Sequence, residues 1–176
     1  MKSRVALAIV IFVQLLAAIA LADISIYRTY HINGQAMSNT LVDGEVVSAE
    51  LYASDDELRR GDVIICLYPG RGNTVFVKRL VGLPGDAVEM KDQHLYVNGK
   101  QIADPEKMNL QPGYDFREYL LKEDEYFVLG DNRGNSNDSH SIGPIKRSMI
   151  IAHVTAVIWP LNKIRTVENE FVTVAE

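Results

Sequence analysis

The sequence predicts a mainly β domain carried behind one apolar helix. Three observations predict it. An unbroken apolar run, Val5 to Ala22, opens the chain with Gln14 as its single polar member. From Asp23 onward, apolar residues come in short β-branched stretches separated by Gly, Pro and Asn, the punctuation of strands and turns. Only one later segment, Asp55-Asp56-Glu57-Leu58-Arg59-Arg60, suggests as much as a helical turn.

The opening run has 18 residues and follows Lys2 and Arg4. As a helix it is about 27 Å long, close to the ~30 Å of a hydrocarbon core, and Ile24 and Ile26 extend it. Basic residues before the run and a polar domain after it place the N-terminus in the cytoplasm. A cleaved signal peptide is the rival reading, and Ala20-Leu21-Ala22 has the small-x-small pattern of a cleavage site. Such peptides carry apolar cores of roughly 7–15 residues, so the expectation is a retained anchor. The predicted organisation is a cytoplasmic N-terminus at residues 1–4, a transmembrane anchor at 5–26 and an extracytoplasmic domain at 27–176. A small lobe is expected near 91–123, where the chain turns polar and carries Pro105, Pro112 and Gly113.

Within the domain, Glu45 to Leu51 and Val63 to Leu67 read as strands. Pro69-Gly70-Arg71-Gly72-Asn73 is a turn, and Thr74 to Val81 is a buried strand. Leu95-Tyr96-Val97 and Lys100-Gln101-Ile102 flank Asn98-Gly99, the pair that favours a type I′ hairpin. Tyr126 to Leu129, Val154 to Trp159 and Phe171 to Val174 complete the expected strands.

Composition removes several classes. The 176 residues carry a net charge of -5 with no basic tract, a poor match to nucleic acid. Cys66 is the one cysteine and sits in an apolar run, so neither an internal disulfide nor a thiolate metal site can form, and a small buried hydrophobe is its expected role. His31, His94, His140 and His153 show no ligand spacing. The Gly- and Asp-rich stretch from Gly130 to Gly143 lacks the spacing of a calcium loop. No metal and no cofactor are expected.

Three segments carry the chemistry. The first is Gly34 to Leu41, the second Val75 to Asp86, the third Gly130 to Gly143. Lys78 shares a strand face with Phe76 and Leu80 by the period of two. A lysine in that company is either a snorkelling surface residue or a buried amine whose pKa falls far enough to serve as a base.

In order and spacing the three segments resemble the signature boxes of type I signal peptidases, membrane-anchored Ser/Lys proteases with a mostly β catalytic domain. The family's nucleophile box, Ser-Met-x-Pro-Thr, is matched by Ala36-Met37-Ser38-Asn39-Thr40. Its base box, Lys-Arg-x-x-Gly-x-Pro-Gly-Asp, is met at every fixed place by Lys78 to Asp86. Its last box, Gly-Asp-Asn-Arg-x-x-Ser-x-Asp-Ser-Arg-x-x-Gly, is met by Gly130 to Gly143 except for His140 in place of arginine. The short chain is similar to Gram-positive forms.

The resemblance implies a cell-membrane endopeptidase that removes signal peptides from exported preproteins. It implies Lys78 as general base, Ser136 as the residue that orients the lysine, Asp138 as site support and Met37 as part of the substrate cleft. The backbone N–H of residue 36 would be one oxyanion donor. Gly34 supplies no hydroxyl where some members have a second. The expected substrate is an extended peptide, with small residues at the first and third positions before the cut, lying along a strand edge.

Position 36 is the nucleophile's place, and alanine has no oxygen. Ser38 is no simple substitute, being nearly 7 Å further along an extended chain. The expectation is therefore a chain of the peptidase family that is catalytically inactive as it stands, its nucleophile having been substituted. The alternative is a naturally non-catalytic relative that binds pilin or sortase-pathway proteins and assists pilus assembly.

Overall fold

A computed structural model of the chain describes residues 5–15, 26–38, 40–52, 58–103, 114–169 and 172–173. Helix α1 covers residues 5–15, and its apolar side chains are exposed. Among the described residues no helix is long and apolar enough to cross a membrane. The expected anchor runs on through 16–25, which lie outside the described residues, as do Asp55, Asp56 and Glu57 of the expected helical turn and 104–113 of the expected lobe.

The rest is antiparallel sheet. Strands β1 (Tyr27–His31), β2 (Val46–Leu51), β3 (Val63–Leu67) and β4 (Val75–Gly82) are followed by β5 (Ala87–Lys91), β6 (His94–Val97), β7 (Lys100–Ala103) and β8 (Phe116–Leu120). Then come β9 (Glu125–Leu129), the one-turn helix α2 (Ser139–Ile142), β10 (Ile145–Lys146), β11 (Ile150–Trp159), β12 (Arg165–Thr166) and β13 (Val172–Thr173). One sheet has the order β1-β2-β11-β3-β4-β9-β10, with β12 beside β11; the other has the order β13-β7-β6-β5-β8. Each strand expected from sequence overlaps one of these. Strands β1, β5, β8, β10 and β12 were not expected.

Two turns show why the sequence folds this way. Asn98 and Gly99 both have positive φ, 54° and 73°, the conformation a type I′ turn requires, and β6 and β7 pair across it. In the Tyr68–Thr74 turn, Gly70 and Gly72 also take positive φ, and Tyr68 N–H closes the loop on Thr74 O at 2.8 Å.

Strand β4 joins the two sheets. It pairs with β3 and β9, then passes through the Leu83–Asp86 turn into β5. The turn is held by Asp86, whose carboxylate accepts from Leu83 N–H, Asn98 Nδ2 and the Arg60 guanidinium at 2.7–2.9 Å. Burial alone would raise the Asp86 pKa, but Arg60 and these donors hold it below its usual range. Gly82 sits where the β4–β9 register shifts. A Cβ there would stand 2.6 Å from Leu121 Cδ1 and 2.7 Å from Val88 Cγ2, so the glycine permits close approach of the second sheet's core.

Gly82→Ala should therefore cost about 1–3 kcal/mol through overpacking. Denaturant unfolding of the purified chain is expected to show a lower midpoint with an unchanged slope.

Candidate active site

The three chemistry-bearing segments meet at one place. Strand β4 presents Lys78 and Arg79 to opposite faces, as its alternation dictates. The turn at 34–41 lies against the β4 side, and the stretch after β9 closes from behind.

A cleft is lined by Tyr30, His31 and Gly34, by Ala36 and Met37, and by the β4 residues Val75 to Lys78. Its volume, about 140 Å³, is near that of a cavity that accepts one benzene ring. Lys78 is 3% exposed. Its Nζ donates to Val77 O at 3.2 Å and stands 4.9 Å from the centre of the Phe76 ring. Burial pushes the amine below its usual pKa, against the opposing pull of Asp138, then Cys66 and Asp131. Of the two readings a strand lysine allows, the buried amine is the one observed. Cys66 is fully buried, its thiol pushed up by burial.

Ala36 is half-buried at the cleft wall, its methyl group offering no polar atom. Met37 lines the cleft from a buried position, and its Sδ accepts from Asp131 N–H at 3.4 Å. Ser38 Oγ accepts from Asn132 Nδ2 at 3.0 Å and does not line the cleft. Asn39 lies outside the described residues.

Ser136 and Asp138 back the cleft. The Ser136 side chain packs against Gly130 beside the Ala36 carbonyl, leaving no room for a Cβ on Gly130. Its Oγ is buried and has no hydrogen-bond partner among the described residues. The expected bond to the lysine is not among those formed; Lys78 Nζ donates to Val77 O. Asp138 is fully buried. It accepts from Gly130 N–H at 2.9 Å, from Tyr114 OH at 3.1 and 3.2 Å, and from His140 N–H at 3.2 Å. The His140 ring stands against Tyr114 and Phe116, centroids 4.5 and 5.6 Å away.

Sequence reasoning missed four participants. Tyr114 supports Asp138 and lies in a stretch that reads as featureless and polar. Asn132 reaches the 35–38 turn; only its place in the last box marks it. Thr40 and Asp131 complete a buried cluster with Arg79. Nε and Nη2 of Arg79 donate to the two Asp131 oxygens at 2.8 and 2.7 Å, and Nη1 donates to Gly61 O at 2.7 Å. Thr40 Oγ1 donates to Asp131 at 2.5 Å. Both charges are nearly inaccessible, at 1% exposure each. Among the described residues no group of His, Cys, Asp and Glu could hold a metal ion.

The chain is similar to known proteins. The family described as "Signal peptidase, peptidase S26" matches residues 4–159. Signal peptidase I of Bacillus licheniformis is 37% identical over 153 residues, covering 80% of this chain and 81% of that protein. Signal peptidase I T of Bacillus subtilis is 36% identical over 152 residues, covering 80% and 78%. Signal peptidase IB of Staphylococcus aureus is 32% identical over 158 residues, covering 80% and 82%. A crystal structure of a signal peptidase I from Enterococcus faecalis V583 aligns with TM-score 0.49 at 31% identity, over 58% of this chain and 100% of that one.

Arg79→Met should leave the buried Asp131 carboxylate without its guanidinium, at a cost of about 3–5 kcal/mol. In thermal unfolding, Arg79→Met is expected to melt well below the unsubstituted chain. Adding Asp131→Leu should recover much of the loss, because the pair is then removed together.

Proposed function

Because the chain belongs to the signal peptidase family of peptidase S26, we propose that its cleft receives the signal peptides of exported preproteins, and that Ala36 leaves it unable to cut them. The observation that carries the proposal is the buried Lys78 amine sharing one cleft with the methyl group of Ala36. A lysine kept from water is equipped to act as a base, and the position it would serve has no oxygen.

With a serine at 36, the chemistry follows from the groups present. Lys78 in its neutral form takes the hydroxyl proton as Oγ attacks the peptide carbonyl. The resulting ammonium returns that proton to the leaving amine, and water then hydrolyses the ester. The backbone N–H of residue 36 would serve as a donor to the developing oxyanion. We assign Ser136 to orient the lysine amine; its buried hydroxyl has no partner among the described residues and is a group available for it. Asp138 acts through the backbone, since it holds Gly130, against which Ser136 and the Ala36 carbonyl pack. Small substrate side chains suit the modest cleft, and Met37 forms part of its apolar wall.

A non-catalytic role, binding pilin or sortase-pathway proteins without cleavage, is the second reading. It is favoured by the departures from the family boxes at Asn39 and His140. Under either reading we place the chain in the cell membrane. Residues 5–26 would span the bilayer, 1–4 would lie in the cytoplasm and the domain outside; the exposed apolar side chains of α1 support this.

Ala36→Ser is expected to create cleavage of a peptide with alanine at the first and third positions before the cut. The activity should vanish when Lys78→Ala is added. Its rate should rise with pH along a limb lying below 10.5, the usual lysine value, because burial lowers the pH at which the neutral amine appears. Equal cleavage by the unsubstituted chain would overturn the assignment of position 36. A serine variant that is folded yet inert on this peptide and on whole preproteins would favour the binding role.

Protease treatment of sealed vesicles should digest the domain from outside and leave a short membrane-protected fragment. A soluble chain beginning near Asp23 would contradict the anchor.

A further inference from the structure

We infer that Asn132 is a positioning residue that fixes residue 36 beside Lys78, with the Ser38 hydroxyl as one of its acceptors. The inference rests on the reading of position 36 as the nucleophile's place. Its ground is the way one residue meets three acceptors in the 35–38 turn. Asn132 backbone N–H donates to Ala36 O at 3.0 Å. Its side-chain Nδ2 donates to Gln35 O at 3.0 Å and to Ser38 Oγ at 3.0 Å. A carboxamide has two N–H donors, and both are engaged, one on each side of residue 36.

The turn also has bonds of its own: Ser38 N–H closes on Gln35 O at 3.1 Å, the Thr40 and Leu41 N–H groups close on Met37 O at 2.8 and 2.6 Å, and Met37 Sδ meets Asp131 N–H. Where the family box has proline, this chain has Asn39, so no ring fixes φ after Ser38. The restraint on both sides of residue 36 that Asn132 adds comes from outside the turn, across more than ninety residues of sequence. Asn135 adds to it, since its Nδ2 donates to Gln35 Oε1 at 3.2 Å and its N–H to Asn132 O at 3.0 Å.

A residue before a short 3-10 turn often bonds its own turn through its side chain. Asn132 precedes the turn Arg133–Asn135 and makes no such cap. Its side chain is turned to the 35–38 segment instead. Aspartate or serine would serve as well for capping, but only an amide supplies two donors to Gln35 O and Ser38 Oγ. Asn132→Asp keeps the shape but sets a carboxylate against the Gln35 carbonyl, while the Ser38 hydroxyl can turn to donate to it.

The test has two readouts on the full chain in detergent or lipid. In the first, Ala36→Cys introduces a thiol, and its alkylation by iodoacetamide is followed against pH. Cys66 is buried, and the unsubstituted chain supplies its background. With Asn132 intact, the alkylation midpoint is expected to shift when Lys78→Met is added, because thiol and amine are neighbours. With Asn132→Asp or Asn132→Ala, that dependence on Lys78 should disappear while the chain stays folded. Persistence of the full dependence would overturn the inference, as would its absence when Asn132 is intact. Should both Asn132 variants fail to fold, Ser38→Ala removes one acceptor alone; a weakened dependence is then expected, and an unchanged one counts against the clamp.

In the second readout, Asn132→Asp on the Ala36→Ser background should lower kcat about 100-fold, the scale of a misplacement near 1 Å, with KM unchanged. A fall confined to KM would contradict positioning. If Ala36→Ser is itself inert, the peptidase reading fails while the alkylation profile still decides the clamp.

Discussion

The Arg79 guanidinium is where three distant stretches of chain are tied together. It grips both oxygens of Asp131, the carbonyl of Gly61 and, through Asp131, the hydroxyl of Thr40. Burying two charges costs several kcal/mol per ion, which close bidentate geometry and further hydrogen bonds offset here. The consequence reaches the neighbouring residue. Lys78 leaves the same strand on the opposite face and enters a site where the nearby Asp131 charge is already answered by Arg79. Burial lowers the amine's pKa and outweighs the opposing pull of Asp138 and the smaller pull of Asp131. A buried lysine can approach neutrality only if the surrounding carboxylates are spoken for, and β4 arranges this by pairing one cation and isolating the next.

Asp138 is answered in a different way. The family box has an arginine at position 140, and this chain has histidine there. The histidine side chain joins the aromatic pair Tyr114 and Phe116, and the Tyr114 hydroxyl bonds both Asp138 oxygens. Gly130 N–H and His140 N–H supply the remaining donors. A carboxylate so supplied with hydrogen bonds does not depend on a guanidinium at 140. The departure from the box is thus absorbed by an aromatic residue from a separate part of the chain.

Much of this was legible in the sequence. Strands β3, β4, β9 and β11 are β-branched and apolar because their faces are covered, and such segments are written plainly. Asn98-Gly99 announced a hairpin because few other pairs take positive φ twice in succession. The unexpected strands are those whose patterning does not report burial. Tyr27–His31 is an exposed edge, and Phe116–Leu120 alternates weakly at the edge of the second sheet. Val88 and Met90 do alternate in Ala87–Lys91, but the run is short and follows a turn. For the site, motif spacing identified Lys78, Ser136 and Asp138, while Tyr114 and the reach of Asn132 had no local signal. A hydrogen bond across ninety residues leaves nothing in the sequence around either partner.

What the alanine at 36 means for the scaffold can be reasoned from the same bonds. No hydrogen bond that holds the 35–38 turn uses the side chain of residue 36: the carbonyls of Gln35 and Ala36, the Ser38 hydroxyl and the Met37 sulfur take the load. Loss of a serine hydroxyl there leaves those constraints in place, and so leaves the cleft in place. Binding of an extended peptide and attack upon it are separable demands, since only the second draws on interactions made in the transition state. On the proposed reading, such a cleft would lose its chemistry and keep its hold on a peptide. That is why inactivity and a binding role are both compatible with one geometry, and why the decisive atom is the one that alanine lacks.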